Sequence, residues 1–185
     1  MDWHVLFTKT GYEQKVADEI ANNWRVDGIK PFIPMYDVKF RTQGKVIADK
    51  RRLFPGYVFI ESEIGASDFW NATRNFIGNS RHILALLRYG NDHENERENK
   101  HQAAITSNER QTLMKLFKNN DYHVGMSTGI IVGNLVRVTD GPLIGHESLI
   151  KKIKRHRMEA IIEVELMGAI REVTIGLEIV QRIGN

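Results

Sequence analysis

Residues 3 to 8 alternate, with Trp3, Val5 and Phe7 on one side, and a period of two predicts a strand. Thr10 followed by Glu13 fits a capping box. Tyr12, Val16, Ile20 and Trp24 then recur at every fourth position, which predicts an amphipathic helix that Gly28 closes. Phe32 to Arg41 returns to alternation, with Tyr36, Val38 and Phe40 set against Asp37, Lys39 and Arg41. Thr42-Gln43-Gly44 predicts a turn that brings Lys45 to Leu53 back antiparallel. Pro55-Gly56 bends the chain, and Tyr57 to Ile60 is an apolar run suited to a central strand covered on both faces. Ser67 is expected to cap a short helix carrying Phe69, Trp70 and Thr73, and Ile83 to Leu87 to form a further buried strand. After the polar stretch Tyr89 to Gln102, read as a solvated loop, Thr106 with Glu109 repeats the capping box. The helix behind it carries Leu113, Leu116 and Phe117.

Beyond Lys118-Asn119-Asn120-Asp121 the helical period fades and β-branched residues dominate. A mixed first domain over residues 1–118, a linker over 119–126 and a small all-β domain over 127–185 are therefore expected. The predicted strands of the second domain are Leu135–Val138, Leu149–Lys154, Ala160–Leu166, Ile170–Ile175 and Glu178–Arg182, with Met167-Gly168 as a turn. Between the first two, Thr139-Asp140-Gly141-Pro142 is a turn signal: Gly supplies φ > 0, Pro sets φ near −65° and Asp bonds its own backbone. The spacing of Leu149, Ile150, Ile153 and Arg157 also fits a helix, and the alternation of Ile162, Val164 and Leu166 beyond it favours a strand.

Charge changes this picture at one place. The 185 residues carry a formal net charge of only +3 with a pI of about 9.1, so a nucleic-acid site requires local clustering. Lys151 to Arg157 is such a cluster, placed at a hairpin end and nearly free of acids. Glu159, Glu163 and Glu165 lie beyond it, which segregates the two signs along the chain. A charge run is often no more than a solvated face. Here its position and segregation point to phosphate neutralisation, and Arg155, His156 and Arg157 also have the chemistry to stack on or bond RNA bases.

Other chemistry is scarce. The absence of cysteine excludes disulfides, thiolate zinc ligation and thiol nucleophiles, and fits a reducing cytoplasm. The first residues lack a signal peptide's basic head and apolar run, and no apolar stretch approaches the roughly 20 residues of a membrane span. His93, Glu94, Glu96, Glu98 and His101 match no compact metal motif. Asp140 is explained by its turn, His146-Glu147 falls in a loop, and Ser148 has no G-x-S-x-G context. Neither a phosphate-cradling glycine loop nor a set of nucleophile, base and orienting group is visible, so no cofactor and no catalysis are expected.

The opening WHVLFTKTGYEQKVADEI and the run RRLFPGYVFIE resemble the N-terminal domain of the NusG family of transcription elongation factors. The stretch VGNLVRVTDGPLIGHESLI resembles that family's KOW motif. The likeness covers essentially the whole chain, in the same order. It implies an α+β N-terminal domain of the NGN kind, an antiparallel sheet with flanking helices, followed by a small SH3-like β-barrel, the KOW domain. It also implies a bacterial cytoplasmic factor, monomeric and with no membrane partner, whose N-terminal domain docks on the clamp helices of the largest RNA polymerase subunit. By motif, Phe54 would sit in the docking hollow with Pro55, Tyr57, Trp3 and Pro34. Phe54 is expected to be exposed ahead of its Pro-Gly bend, whereas Trp3, Tyr57 and above all Phe59 are equally readable as core.

The chain departs from the family's housekeeping pattern in two places: Ser148 stands where a glycine is usual, and the second barrel strand is basic rather than mixed. That combination resembles the LoaP subgroup, antiterminators that recognise an RNA hairpin. It assigns Lys151, Lys152, Lys154, Arg155, His156 and Arg157 to a structured RNA, with Arg137 and Arg171 in support. Two other readings stand beside it: a general elongation factor whose barrel binds a termination factor or ribosomal protein, and, more remotely, an enzyme acting on RNA.

Overall fold

A computed structural model describes residues 1–89, 103–117 and 121–184. Its described part divides into two compact units that are not sequential. The first comprises Met1–Ile33, Phe54–Arg110 and Leu166–Ala169, and the second Pro34–Leu53, Gln111–Glu165 and Ile170–Asn185. Residues 34–53 group with the C-terminal strands in the second unit. Residues 119 and 120 of the expected linker, His93 to His101 and nearly all of the polar stretch before Gln102 lie outside the described residues.

In the first unit, β1 (Asp2–Thr8), β2 (Ile29–Phe32), β5 (Tyr57–Ser62) and β6 (Ile83–Leu86) form an antiparallel sheet in the order β2-β5-β1-β6. The run of apolar residues in β5 is central as predicted, and Val58, Phe59 and Ile60 are fully buried. Strand alternation then divides the sheet. Leu6, Val58 and Ile60 join a core with Val16, Ala17 and Ile20 of helix α1 (Glu13–Asn23), Trp24 just beyond its end, and Phe69 of helix α2 (Ala66–Asn79). Trp3, Val5 and Phe7, opposite Glu61, Phe59 and Tyr57 in register, face the other way. The strand β6 is an edge, buried at its ends but not through its middle, where Leu84 is exposed; the sequence pattern does not distinguish the two.

Helix starts show where local signals hold. Thr106 and Glu109 make the predicted reciprocal box ahead of helix α3 (Ser107–Leu116): the Glu109 N–H donates to Thr106 Oγ1 at 3.2 Å, and the Thr106 N–H to Glu109 Oε2 at 2.8 Å. At α1 the box does not form, because the residue before the helix is Tyr12. Glu13 is instead fully buried, accepting the N–H of Gly11 at 2.8 Å and of Gly56 at 2.7 Å. That carboxylate ties the helix start to the bend ahead of β5. Ser67 lies inside α2, whose cap is Gly65.

In the second unit, β3 (Met35–Thr42) and β4 (Lys45–Arg52) form the predicted hairpin in unbroken register from Met35↔Arg52 to Thr42↔Lys45. Its turn residues Gln43 and Gly44 both have positive φ, the geometry that matches strand twist in a two-residue connection. The short β7 (His123–Val124) adds to β3 in parallel, and His123 Nε2 lies 2.8 Å from Asp37 Oδ1.

Five further strands follow: β8 (Ser127–Val132), β9 (Leu135–Asp140), β10 (Ile150–Lys154), β11 (Glu159–Leu166) and β12 (Ala169–Ile183), in the order β10-β11-β12-β8-β9. The count agrees with expectation through two compensating corrections. The strand β8 is not among those expected from the sequence pattern, because it contains Gly129 and glycine weakens a strand pattern. Bare backbone suits that position: a Cβ there would lie 2.9 Å from the Arg137 carbonyl oxygen. The strands expected at Ile170–Ile175 and Glu178–Arg182 are one continuous β12, running through Gly176, where a Cβ would meet the Asp37 carbonyl oxygen at 2.5 Å.

Candidate nucleic-acid interface

The connection from β9 to β10 is built around Gly141, at φ +95°, whose added Cβ would fall 2.5 Å from the Met126 carbonyl oxygen and 2.6 Å from Ser127 Cα. Behind it Leu143 is fully buried, and its N–H donates to Ser127 Oγ at 3.2 Å. Glu147 knits the loop to β9, accepting the Val138 N–H at 3.2 Å. Its own N–H lowers the carboxyl pKa, against a desolvation that raises it, and the N–H groups of Val138 and Gly145 add to the lowering. This is a structural role for Glu147.

The connection delivers the chain to β10, an edge strand as the alternation favours, so the helical reading of Leu149 to Arg157 fails. Its register against β11 shifts between Ile150 and Lys152. A bulge interrupts the two-residue period, and Lys151 and Lys152 are both exposed as a result. Beyond Lys154 the chain makes a single 3-10 turn, Arg155–Arg157, closed by Met158 at φ +52°, whose N–H donates to the Arg155 carbonyl at 3.1 Å. Arg155, His156 and Arg157 are all exposed on this turn.

Lys152, Lys154, Arg155, His156 and Arg157, with Ile153, line one open concavity of about 530 Å³. Lys151 lies outside that lining and bonds Glu163 at 2.9 Å. The segregation of charge seen along the chain is thus incomplete in space, because antiparallel pairing folds the acids of β11 back onto β10: Lys154 stands opposite Glu159. Arg137, exposed on β9, belongs to the other end of the strand order, and Arg171 is exposed on β12; neither lines the concavity.

A second cleft, of about 440 Å³, shares His156 and Arg157 with the first and adds Lys39, Arg41 and Arg51 from the β3–β4 hairpin. Glu159 is buried there and accepts from Arg51 Nη1 at 3.5 Å. Burial pushes the Tyr36 phenol pKa up, and the Glu159 carboxylate adds to that rise. The alternation of β3 places Lys39 and Arg41 on one face of the strand and by itself assigns them no role. The signal was their shared parity, and only the fold shows what they border.

The aromatic residues assigned to docking are placed differently. Trp3 is 1% and Phe54 3% exposed. Phe54 packs on Phe59 with ring centroids 5.4 Å apart, Trp3 packs on Phe32 at 4.9 Å, and Phe32 packs on Phe59 at 5.4 Å. The bend at Pro55-Gly56 directs Phe54 inward, so the expectation of an exposed Phe54 is corrected. Tyr57 is half-buried and pairs with Phe7, itself 38% exposed, at 5.5 Å. Pro55 is exposed, while Pro34 is buried and belongs to the second unit.

Among the described residues, no three His, Asp or Glu side chains cluster as metal ligands, and no helix is long and apolar enough to cross a membrane.

Residues 1–114 match the family described as transcription termination factor NusG. Over its length the chain is similar to curated proteins named transcription termination/antitermination protein NusG. It is 25% identical to that of Treponema pallidum over 189 residues, covering 97% of this chain and 96% of the relative. For Deinococcus radiodurans the identity is 22% over 207 residues, covering 98% and 97%. For Pseudomonas aeruginosa it is 19% over 186 residues, covering 98% of each.

Proposed function

This chain belongs to the NusG family of transcription factors, and we propose that it is a specialised member: a processive antitermination factor of the LoaP kind, without catalytic activity. In this reading an NGN-like N-terminal domain holds RNA polymerase at the clamp helices of its largest subunit, and an SH3-like KOW barrel holds a hairpin in the nascent RNA. One observation carries the RNA assignment: five of the six side chains from Lys152 to Arg157 are cationic or imidazole and line one open concavity at a strand edge. Each phosphate contact displaces counterions, so binding is salt-dependent and strong at low ionic strength. The polymerase assignment is supported by the half-exposed Phe7–Tyr57 pair beside the buried aromatic cluster, since aromatic anchors dominate such interfaces.

The test is fluorescence anisotropy of a labelled RNA stem-loop titrated with the full chain across a salt series. K152Q/R155Q/R157Q is expected to weaken binding and to flatten the slope of log affinity against log salt by about 2.7, roughly 0.9 per lost contact. Unchanged affinity and slope would remove the RNA assignment. The general elongation factor remains the second reading, because Leu135, Ile144 and Ile170 leave exposed apolar surface on the same unit, which suits a protein partner.

A further inference from the structure

We propose that the β3–β4 hairpin is the second wall of the RNA site, so that a phosphate strand of an RNA stem lies between Lys39 and Arg41 on one side and His156 and Arg157 on the other. The inference rests on the RNA reading above and deepens it by adding residues from a different part of the chain.

The cleft between these walls has about 440 Å³ and adjoins the Lys152–Arg157 concavity, the two sharing His156 and Arg157 in their linings. Four cations line it against a single carboxylate, Glu159. That carboxylate is buried and holds Arg51 at 3.5 Å; Arg51, opposite Tyr36 in register, lies on the other face of the hairpin from Lys39 and Arg41, with its side chain half exposed. The period of β3 sets Lys39 and Arg41 on one face, and the residues opposite them in register are Ala48 and Val46, so no acid neutralises them across the hairpin. Lys39 reaches Glu178 at 3.6 Å through a half-exposed pair, a weak contact with which a phosphate can compete. Arg41 is exposed and has no ion-pair partner among the described residues.

The chemistry of this cleft favours a stem over a single strand. Sites for unpaired nucleotides offer aromatic platforms on which bases stack. Here most of the lining residues are cationic or imidazole, and the one benzene ring among them, Phe40, is half-buried. A-form RNA is recognised mainly through phosphates and 2′-hydroxyls, for which a cleft with cations on both walls is suited. The two hollows together would grip both backbones of one stem or successive turns of one strand.

The experiment compares the full-length wild type, K39Q/R41Q and K152Q/R155Q, using a fluorescein-labelled RNA stem-loop of arbitrary sequence and its DNA counterpart across a salt series. K39Q/R41Q is expected to lose about 10-fold in affinity for the RNA at low salt and about 1.8 in the salt slope, with circular dichroism unchanged. If K152Q/R155Q weakens RNA binding while K39Q/R41Q keeps wild-type affinity and slope, the second wall is refuted and the C-terminal RNA reading stands. If the wild type does not bind the RNA stem-loop at all, both fall. Should K39Q/R41Q weaken only the DNA duplex, the hairpin serves DNA and the inference is overturned.

Discussion

The aromatic face of the first unit and the cationic edge of the second carry motifs of similar clarity, yet folding treats them in opposite ways. Of the aromatics, Trp3, Phe32, Phe54 and Phe59 are buried against one another, and only Phe7 and Tyr57 keep substantial exposure. Of the basic run, Lys151, Lys152, Arg155, His156 and Arg157 all remain exposed. The difference follows from transfer free energy. An aromatic side chain is stabilised by a core or by a partner's pocket alike, so its chemistry does not say which it occupies. An unpaired cation cannot be buried without a large penalty, so its chemistry fixes it at the surface before any fold is known.

The sharpest break between the two regions is stability. Phe54→Ala is expected to destabilise the first unit by about 3–5 kcal/mol, as for other buried Phe truncations. K152Q/R155Q/R157Q should leave stability within roughly 0.5 kcal/mol per site. Urea unfolding followed by tryptophan fluorescence separates them, because Trp3, Trp24 and Trp70 all lie in the first unit. A Phe54→Ala midpoint equal to wild type would return Phe54 to the surface. Tyr57→Ala sharpens the docking half. It is expected to cost about 1–2 kcal/mol in binding to a clamp-helix fragment by calorimetry, with RNA affinity unaltered. Retention of full polymerase binding would detach the aromatic face from that role.

Smaller effects probe the supports. Thr106→Ala removes the cap of α3 and should lower stability by about 1 kcal/mol, whereas Thr10→Ala, outside any cap, should cost less in the same denaturation series. The last is a slope rather than a step. His4 is buried and stacked on Phe69 with centroids 3.7 Å apart, and its Nδ1–H donates to the Ala103 carbonyl at 3.0 Å. Desolvation lowers its pKa from 6.5, against smaller opposing contributions from the Ala103 bond and Asp2. The unfolded chain therefore binds the proton first as pH falls. The stability from neutral His4 is complete above about pH 6.5 and is lost on acidification towards the lowered folded value. Denaturation midpoints at pH 7.5 and 5.5 should show that loss, and His4→Gln should reduce it.

Legibility in this chain tracked how local the cause was. The β3–β4 hairpin was readable because Gln43-Gly44 and two flanking alternations act within a few residues of each other. The α3 cap was readable for the same reason. Glu13 misled because its partner, Gly56, is distant in sequence and outcompeted the local box. β8 was missed because Gly129 reads as a breaker until Arg137 is known to pass beside it. The basic concavity was readable as a run of residues, while the contribution of Lys39, Arg41 and Arg51 was not.

By itself, then, the sequence determined the helix and hairpin positions, the exposure of the basic run and the resemblance to a family. Each depends on periodicity, turn stereochemistry or the cost of burying charge, which act through neighbours along the chain. Tertiary structure alone decided which aromatics became core, where Glu13 found its donors, and that the β3–β4 hairpin shares a cleft with Arg157. Those outcomes depend on which distant segments meet, and side-chain chemistry is degenerate until they do.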